Sequence, residues 1–128
     1  MENINDINIL LDNCQGLQNR QKRQDVFHYL KDKNFNIYAL QDTHFMKEQE
    51  SKIRSEWGYE CLFSSFTSNS RGVAFLFNNN FDYKISNTYN DNEGNYFILD
   101  LIIEQNTRVT LVNIIWAKYR LTRLLYAN

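Results

Sequence analysis

"FNIYALQDTHF", residues 35–45, runs from an apolar stretch into a carboxylate and a histidine two positions apart. A short apolar run closed by polar residues is the pattern of a strand buried on both faces. Upstream, "INILLDN" (7–13) has the same character and also ends in polar residues. "CQGLQNR" then reads as a loop around Gly16. Between loop and strand, "RQKRQDVFHYLKDK" (20–33) sets Val26, Phe27 and Leu30 at helical spacing with charges on the other side, an amphipathic helix. Strand, helix and strand in this order make a crossover between parallel strands, whose carboxyl ends share one edge of the sheet. Asn13 and Asp42 both fall at that edge, and the fold class is α/β.

Further along, "KEQESKIRSEW" (47–57) reads as a weakly amphipathic surface helix, and "GVAFLFN" (72–78), apolar throughout, as a central strand. "YKISNTYN" (83–90), "YFILDLIIE" (96–104) and "RVTLVNI" (108–114) follow, joined by "DNEG" and "EQNT" as hairpin connections, so the second half reads as an antiparallel meander. No repeat or linker divides the chain.

The composition narrows the classes of function. With 128 residues and 43% hydrophobic content, the chain supports one globular domain or a large piece of one. Fourteen basic residues stand against 15 acids, a net charge of -1, so any phosphate binding has to be local rather than the work of a global basic field. The start of the sequence has no charged, then apolar leader pattern, and Cys14 and Cys61 lie far apart; both features point to a reduced, intracellular setting. No apolar stretch approaches the roughly 18 residues of a membrane span. The spacings of Cys14, His28, His44 and Cys61 contain none of the short pairs of a zinc site, and the four glycines are too scattered for a phosphate-cradling loop. Phe75, Phe77, Tyr96 and Phe97 read as core.

Four blocks stand in a fixed order: "INILLDNCQGL", "LQDTHF", "SNSRGVAFLF" and "RVTLVNI". Together they resemble the N-terminal half of the endonuclease/exonuclease/phosphatase superfamily, and within it the apurinic-type endonuclease domains of non-LTR (LINE-type) retrotransposons. The resemblance covers residues 4–114 and leaves 115–128 as a divergent tail. It implies half of a four-layer α/β/β/α sandwich, two β-sheets flanked by helices, with a metal-dependent phosphodiesterase site at one end. The implied cofactor is Mg²⁺, the implied partner DNA, and a nuclear location would follow by analogy. Asn13 matches the Asn that closes the family's first strand, and Asp42 the acid, normally Glu, that holds the metal. Arg71, ahead of "GVAFLF", is placed to meet a DNA phosphate or to form a surface salt bridge. His44 is expected to line the cleft or cap a helix rather than to act as the catalytic His, which the family supplies from its C-terminal half.

Three departures bear on activity. Asp42 is one methylene shorter than Glu, a withdrawal of roughly 1 Å that can cost about 100-fold in rate. After "LVNI" the family's Tyr is replaced by Ile115, followed by Trp116, Ala117 and Lys118. The Asp/Asn and Asp-His motifs of the C-terminal half are not in these 128 residues. The sequence therefore supports two readings, a Mg²⁺-dependent endonuclease lineage or a noncatalytic remnant kept as an interaction or nucleic-acid-binding module, with a fragment of another phosphatase of the superfamily as the sister alternative. The family fold further implies that "GVAFLFN" and "YFILDLIIE" lack cover on one face, which would promote self-association. A loosely docked helix is expected for residues 114–125.

Overall fold

The computed structural model describes residues 7–115 and the strand backbone of 120–126. Its first sheet has the order β1-β2-β4-β3, formed by β1 (Ile9–Asn13), β2 (Ile37–Gln41), β3 (Cys61–Ser64) and β4 (Val73–Phe77). β1 and β2 run parallel, with Asn13 registered against Gln41, and β4 runs antiparallel to both of its neighbours. The crossover between the parallel strands is α1 (Arg20–Lys33). Asn19 caps it by accepting from the Lys22 N–H at 2.9 Å, and Asn34 ends it in the left-handed conformation, φ 56°. Its buried residues, Arg23, Phe27 and Leu30, are spaced four and three apart and so fall on one face. A shorter helix, α2 (Glu50–Trp57), buries Ile53 and Trp57, and the Trp57 indole donates to the Phe77 carbonyl at 2.8 Å.

Strand parity sets the layers. Tyr38, Leu40, Ala74 and Leu76 pack with Phe27, Leu30, Ile53 and Trp57 on the helical side. Ile37, Ala39, Val73, Phe75 and Phe77 point the other way, into a second cluster with Phe97, Leu99, Leu101, Ile103, Val109 and Leu111. These last residues belong to an antiparallel sheet of order β5-β6-β7-β8: β5 (Lys84–Asn90), β6 (Tyr96–Ile103), β7 (Thr107–Ile115) and β8 (Arg120–Tyr126). The described residues thus build three layers, α/β/β. The expected crossover, central strand and meander are all present.

Two expectations are corrected. "GVAFLFN" has no uncovered face: every residue of β4 is buried, between the helices on one side and the second sheet on the other. The same chain supplies the sheet that covers it. In β6, burial alternates, so only the outward residues, among them Ile98 and Ile102, remain half-buried. The helix expected for 114–125 is likewise replaced. Ile114 and Ile115 complete β7, and 120–126 pair antiparallel along it from Ile115↔Arg120 to Val109↔Tyr126. An open β7 edge offers unpaired N–H and C=O groups along its length, and pairing satisfies them where an isolated helix with a poor apolar stripe would not. Trp116, Ala117, Lys118 and Tyr119 lie outside the described residues.

Two polar residues, Asn113 and Gln41, tie the two sheets. Asn113 lies on the inward parity of β7, and its buried amide donates to the Leu40 and Ala74 carbonyls of the first sheet, both at 3.1 Å. Gln41 crosses in the opposite direction, donating to the Ile114 carbonyl at 3.1 Å. Both bridges sit near the sheet edge where β1 and β2 end.

Candidate functional site at the strand ends

The β1 and β2 chains stay paired beyond their last strand residues. Cys14 N–H bonds to the Gln41 carbonyl at 2.8 Å, Gly16 N–H to that of Asp42 at 2.7 Å and Leu17 N–H to that of Thr43 at 2.8 Å. On the other side Thr43 N–H reaches the Gly72 carbonyl at 3.1 Å, His44 N–H that of Arg71 at 2.9 Å, and Gly72 N–H that of Gly94 at 3.0 Å. Four loops are therefore laced into one corner.

Left-handed backbone concentrates there. Gln15, Asp42, His44 and Arg71 have φ of 52°, 59°, 61° and 63°, and Gly16, Gly72 and Gly94 have φ of 88°, 99° and 79°. Asp and His tolerate this region better than most residues; for Arg it is uncommon. Such conformations persist only where the surroundings over-determine them. Gly72 shows how tightly: a Cβ there would lie 2.4 Å from the buried Thr43 Oγ1, which has no hydrogen-bond partner among the described residues.

Asp42 is 7% exposed, and its Oδ1 is 2.8 Å from His44 Nε2. With Nε2 engaged by the carboxylate, the other ring nitrogen, Nδ1, lies beside Gly16, where an added Cβ would come within 2.8 Å of it. The imidazole thus spans from β2's end to the β1–α1 loop. Neither a helix cap nor an open general base describes it; it pins the corner, held in orientation by the carboxylate.

Asn13 is exposed at the end of β1, and among the described residues its side chain makes no hydrogen bond. Strand register pairs it with Gln41, the residue before Asp42. Arg71 is exposed and makes no ion pair among the described residues; its guanidinium lies over the Phe66 ring, 4.3 Å from the centroid. Sequence reasoning missed Phe66, since one aromatic in "SSFTSNSR" has no periodicity to mark it. Lys22 was also missed: from the first turn of α1 its ammonium donates to the Cys14 and Gln15 carbonyls at 3.0 and 3.3 Å.

Mg²⁺ is a hard cation that takes oxygen ligands in near-octahedral geometry, commonly one or two carboxylates plus waters. Here the Asp42 carboxylate bonds to an imidazole, and the described residues contain no group of three His, Cys, Asp or Glu side chains that could share an ion. Of the residues the resemblance assigns to a metal, Asp42 is at the strand end, and its carboxylate is shared with His44. A cleft of about 390 Å³ on the helical side is lined by Gln24, Phe27, His28, Lys31 and Glu56.

By sequence, no family profile and no curated protein matches the chain. Solved structures do. The AP endonuclease LMAP from Leishmania major superposes with a TM-score of 0.63 at 16% identity, covering 84% of this chain and 39% of that one. The human Nocturnin catalytic domain gives 0.61 at 14%, covering 83% and 48%. Truncated Caenorhabditis elegans TDP2 gives 0.57 at 21%, covering 84% and 45%. The chain has an endonuclease/exonuclease/phosphatase-type fold and spans 39% to 48% of the length of these three structures. Among the described residues, no helix is long and apolar enough to cross a membrane.

Proposed function

We propose that this chain is a phosphodiesterase-type domain half of DNA-endonuclease lineage, derived from a non-LTR retrotransposon, that binds nucleic acid at its strand-end corner without itself cleaving it. The observation that carries this reading is the state of Asp42. It stands at the carboxyl end of β2, the position at which the family resemblance sets a metal-holding acid, yet its carboxylate oxygen is bonded to His44. The lineage rests on the four ordered sequence blocks. The fold it implies is the fold found, and two of the similar structures are AP endonucleases, from Leishmania major and Archaeoglobus fulgidus.

In-line attack on a phosphodiester needs a positioned nucleophile and stabilisation of the developing charge. At this corner Asp42 orients His44, His44 and Gly16 hold the β1–α1 loop, and Lys22 tethers that loop to α1. These groups position backbone. Arg71, exposed and without an ion pair among the described residues, is the group we assign to a phosphate contact rather than to catalysis. Magnesium, where a complete site holds it, would polarise the phosphoryl oxygen and activate water; in the 128-residue chain its association should be no tighter than that of an ordinary surface acid.

The test is nicking of supercoiled and abasic plasmid DNA by the purified chain, with and without Mg²⁺ and with Asp42→Ala as control. The expected result is DNA retention without nicking above background, and no gain from Asp42→Glu. Mg²⁺-dependent nicking that Asp42→Ala abolishes would overturn the reading.

A further inference from the structure

The loop between β3 and β4 carries a feature that positioning of the corner does not use. Phe66 keeps 42% of its surface exposed even with the Arg71 guanidinium over its ring. The loop between them is closed by a Thr67–Ser70 bridge whose hydroxyls are 3.3 Å apart. Both ends are seated on glycine backbone: a Cβ on Gly94 would come within 2.9 Å of Phe66 Cβ and 3.0 Å of Arg71 Cβ. Arg71 is further held by the His44 N–H on its carbonyl. The pair is therefore mounted on the same corner as Asp42 and His44.

We infer that the Phe66–Arg71 pair is a recognition element for an unpaired nucleotide of a nucleic-acid strand, with the aromatic ring stacking on the base and the guanidinium holding the adjacent phosphate. This rests on the nucleic-acid reading above and specifies the form of the strand. Every base has a π-face, so an exposed ring stacks on unpaired bases without sequence preference, whereas a duplex keeps its bases stacked on one another. A guanidinium matches phosphate geometry and extends the stacking surface. The neighbours argue against a protein partner. Between the aromatic and the cation the loop is Thr67, Ser68, Asn69 and Ser70, small polar residues that are exposed or half-buried, where the core of a protein interface clusters apolar anchors. Asp91, in the loop that carries Gly94, is turned to its own loop and to β3, its Oδ1 accepting from the Ser64 hydroxyl at 2.9 Å and the Glu93 N–H at 3.1 Å.

The experiment is fluorescence anisotropy with the full 128-residue chain and labelled 15-nucleotide oligothymidine and oligouridine, each also presented as a duplex with its complement, over a salt series. The expected result is tighter binding of both single strands than of their duplexes. Phe66→Ala should weaken single-strand binding by roughly 5- to 150-fold, the range for losing one stacked base, while Phe66→Trp keeps it. Arg71→Gln should weaken binding and reduce the salt slope by roughly 0.7, one phosphate contact on a single strand. Circular dichroism confirms that each variant is folded. Binding that is indifferent to Phe66→Ala, or equal for single strand and duplex, overturns this inference and leaves the nucleic-acid reading standing. No binding to any of the four probes by the wild-type chain overturns both.

Discussion

Glu56→Ala should unsettle the corner from a distance. The Arg23 residue is 2% exposed. Its Nε and Nη2 pair with the two Glu56 carboxylate oxygens at 2.5 and 2.9 Å, and its Nη1 donates to the Leu17 and Gln18 carbonyls at 3.0 and 3.1 Å. One guanidinium thus joins α1, α2 and the β1–α1 loop that carries Gly16. Removing Glu56 leaves a buried charge that cannot deprotonate, and breaking such a pair costs about 3–5 kcal/mol. The Glu56 side chain is 16% exposed, so some of its field is already screened, and the lower end, about 3 kcal/mol, is expected. Against a domain stability of about 5–15 kcal/mol this is a large fraction. Replacing both partners, Arg23→Met with Glu56→Met, removes the stranded charge and should cost less than Glu56→Ala alone. The assay is urea denaturation of both variants, followed by circular dichroism. A Glu56→Ala loss below about 1 kcal/mol, or a double variant worse than the single, would refute the assignment. The pH dependence has a definite sign. The Arg23 hydrogen bond, against a smaller opposing effect of burial, lowers the Glu56 pKa below the ordinary glutamate value. The pair's contribution is therefore full above the unfolded pKa and is lost as pH falls through the lower folded one. Glu56→Gln should flatten the acid limb of the stability profile.

Gly72→Ala should destabilise the chain by more than about 2 kcal/mol, because its Cβ would meet Thr43 Oγ1 at 2.4 Å at a φ of +99°; a thermal midpoint within a degree of wild type would contradict this. Asn113→Leu leaves the Leu40 and Ala74 carbonyls without its amide and should cost about 2–4 kcal/mol in urea. Burial raises the pKa of both thiols, Cys61 to about 12, so neither should react with a disulfide reagent at pH 8 until the chain is unfolded; fast native labelling would show an open core. If the chain self-associates, it does so through the outer face of the second sheet, and Val112→Lys should shift sedimentation toward monomer where Leu11→Lys, on the far edge of the first sheet, does not.

Much of this organisation was legible in the residues. The apolar runs at 7–13 and 35–40, with an amphipathic segment between them, suffice for parallel β1 and β2, and hence for Asn13 and Asp42 at one edge. The cover of β4 was legible too. "VAFLF" has no polar parity, which means burial on both faces, and "YFILDLII" has one apolar parity in Phe97, Leu99, Leu101 and Ile103, which means a sheet offering a face to something. Each was the other's partner. The implied half-fold pointed to a different source of cover, and that expectation displaced the local pattern. Residues 120–126 were harder to place, since their strand state is set by the β7 edge and not by their own periodicity.

The chemistry of the corner was the least legible part, because it lies in backbone handedness rather than residue type. "QDTHF" supplies the carboxylate and the imidazole. It does not say that both residues adopt left-handed φ, so that side chains two positions apart meet across the turn at 2.8 Å. In an extended strand, residues two apart share a face, but the backbone does not curl to bring them into contact at this distance. The left-handed pair is over-determined by Gly16 on one side and Arg71 and Gly72 on the other, three positions drawn from two other loops. Replacing Gly16 with Ala tests this directly. Its Cβ would press on His44 Nδ1 at 2.8 Å and on Gln18 Oε1 at 2.9 Å. The imidazole should be displaced from Asp42, and its ring-proton resonances should move away from their wild-type positions. Unchanged His44 ring-proton resonances in Gly16→Ala would mean that the Asp42–His44 bond holds without the loop, and that the corner is less constrained than its geometry implies.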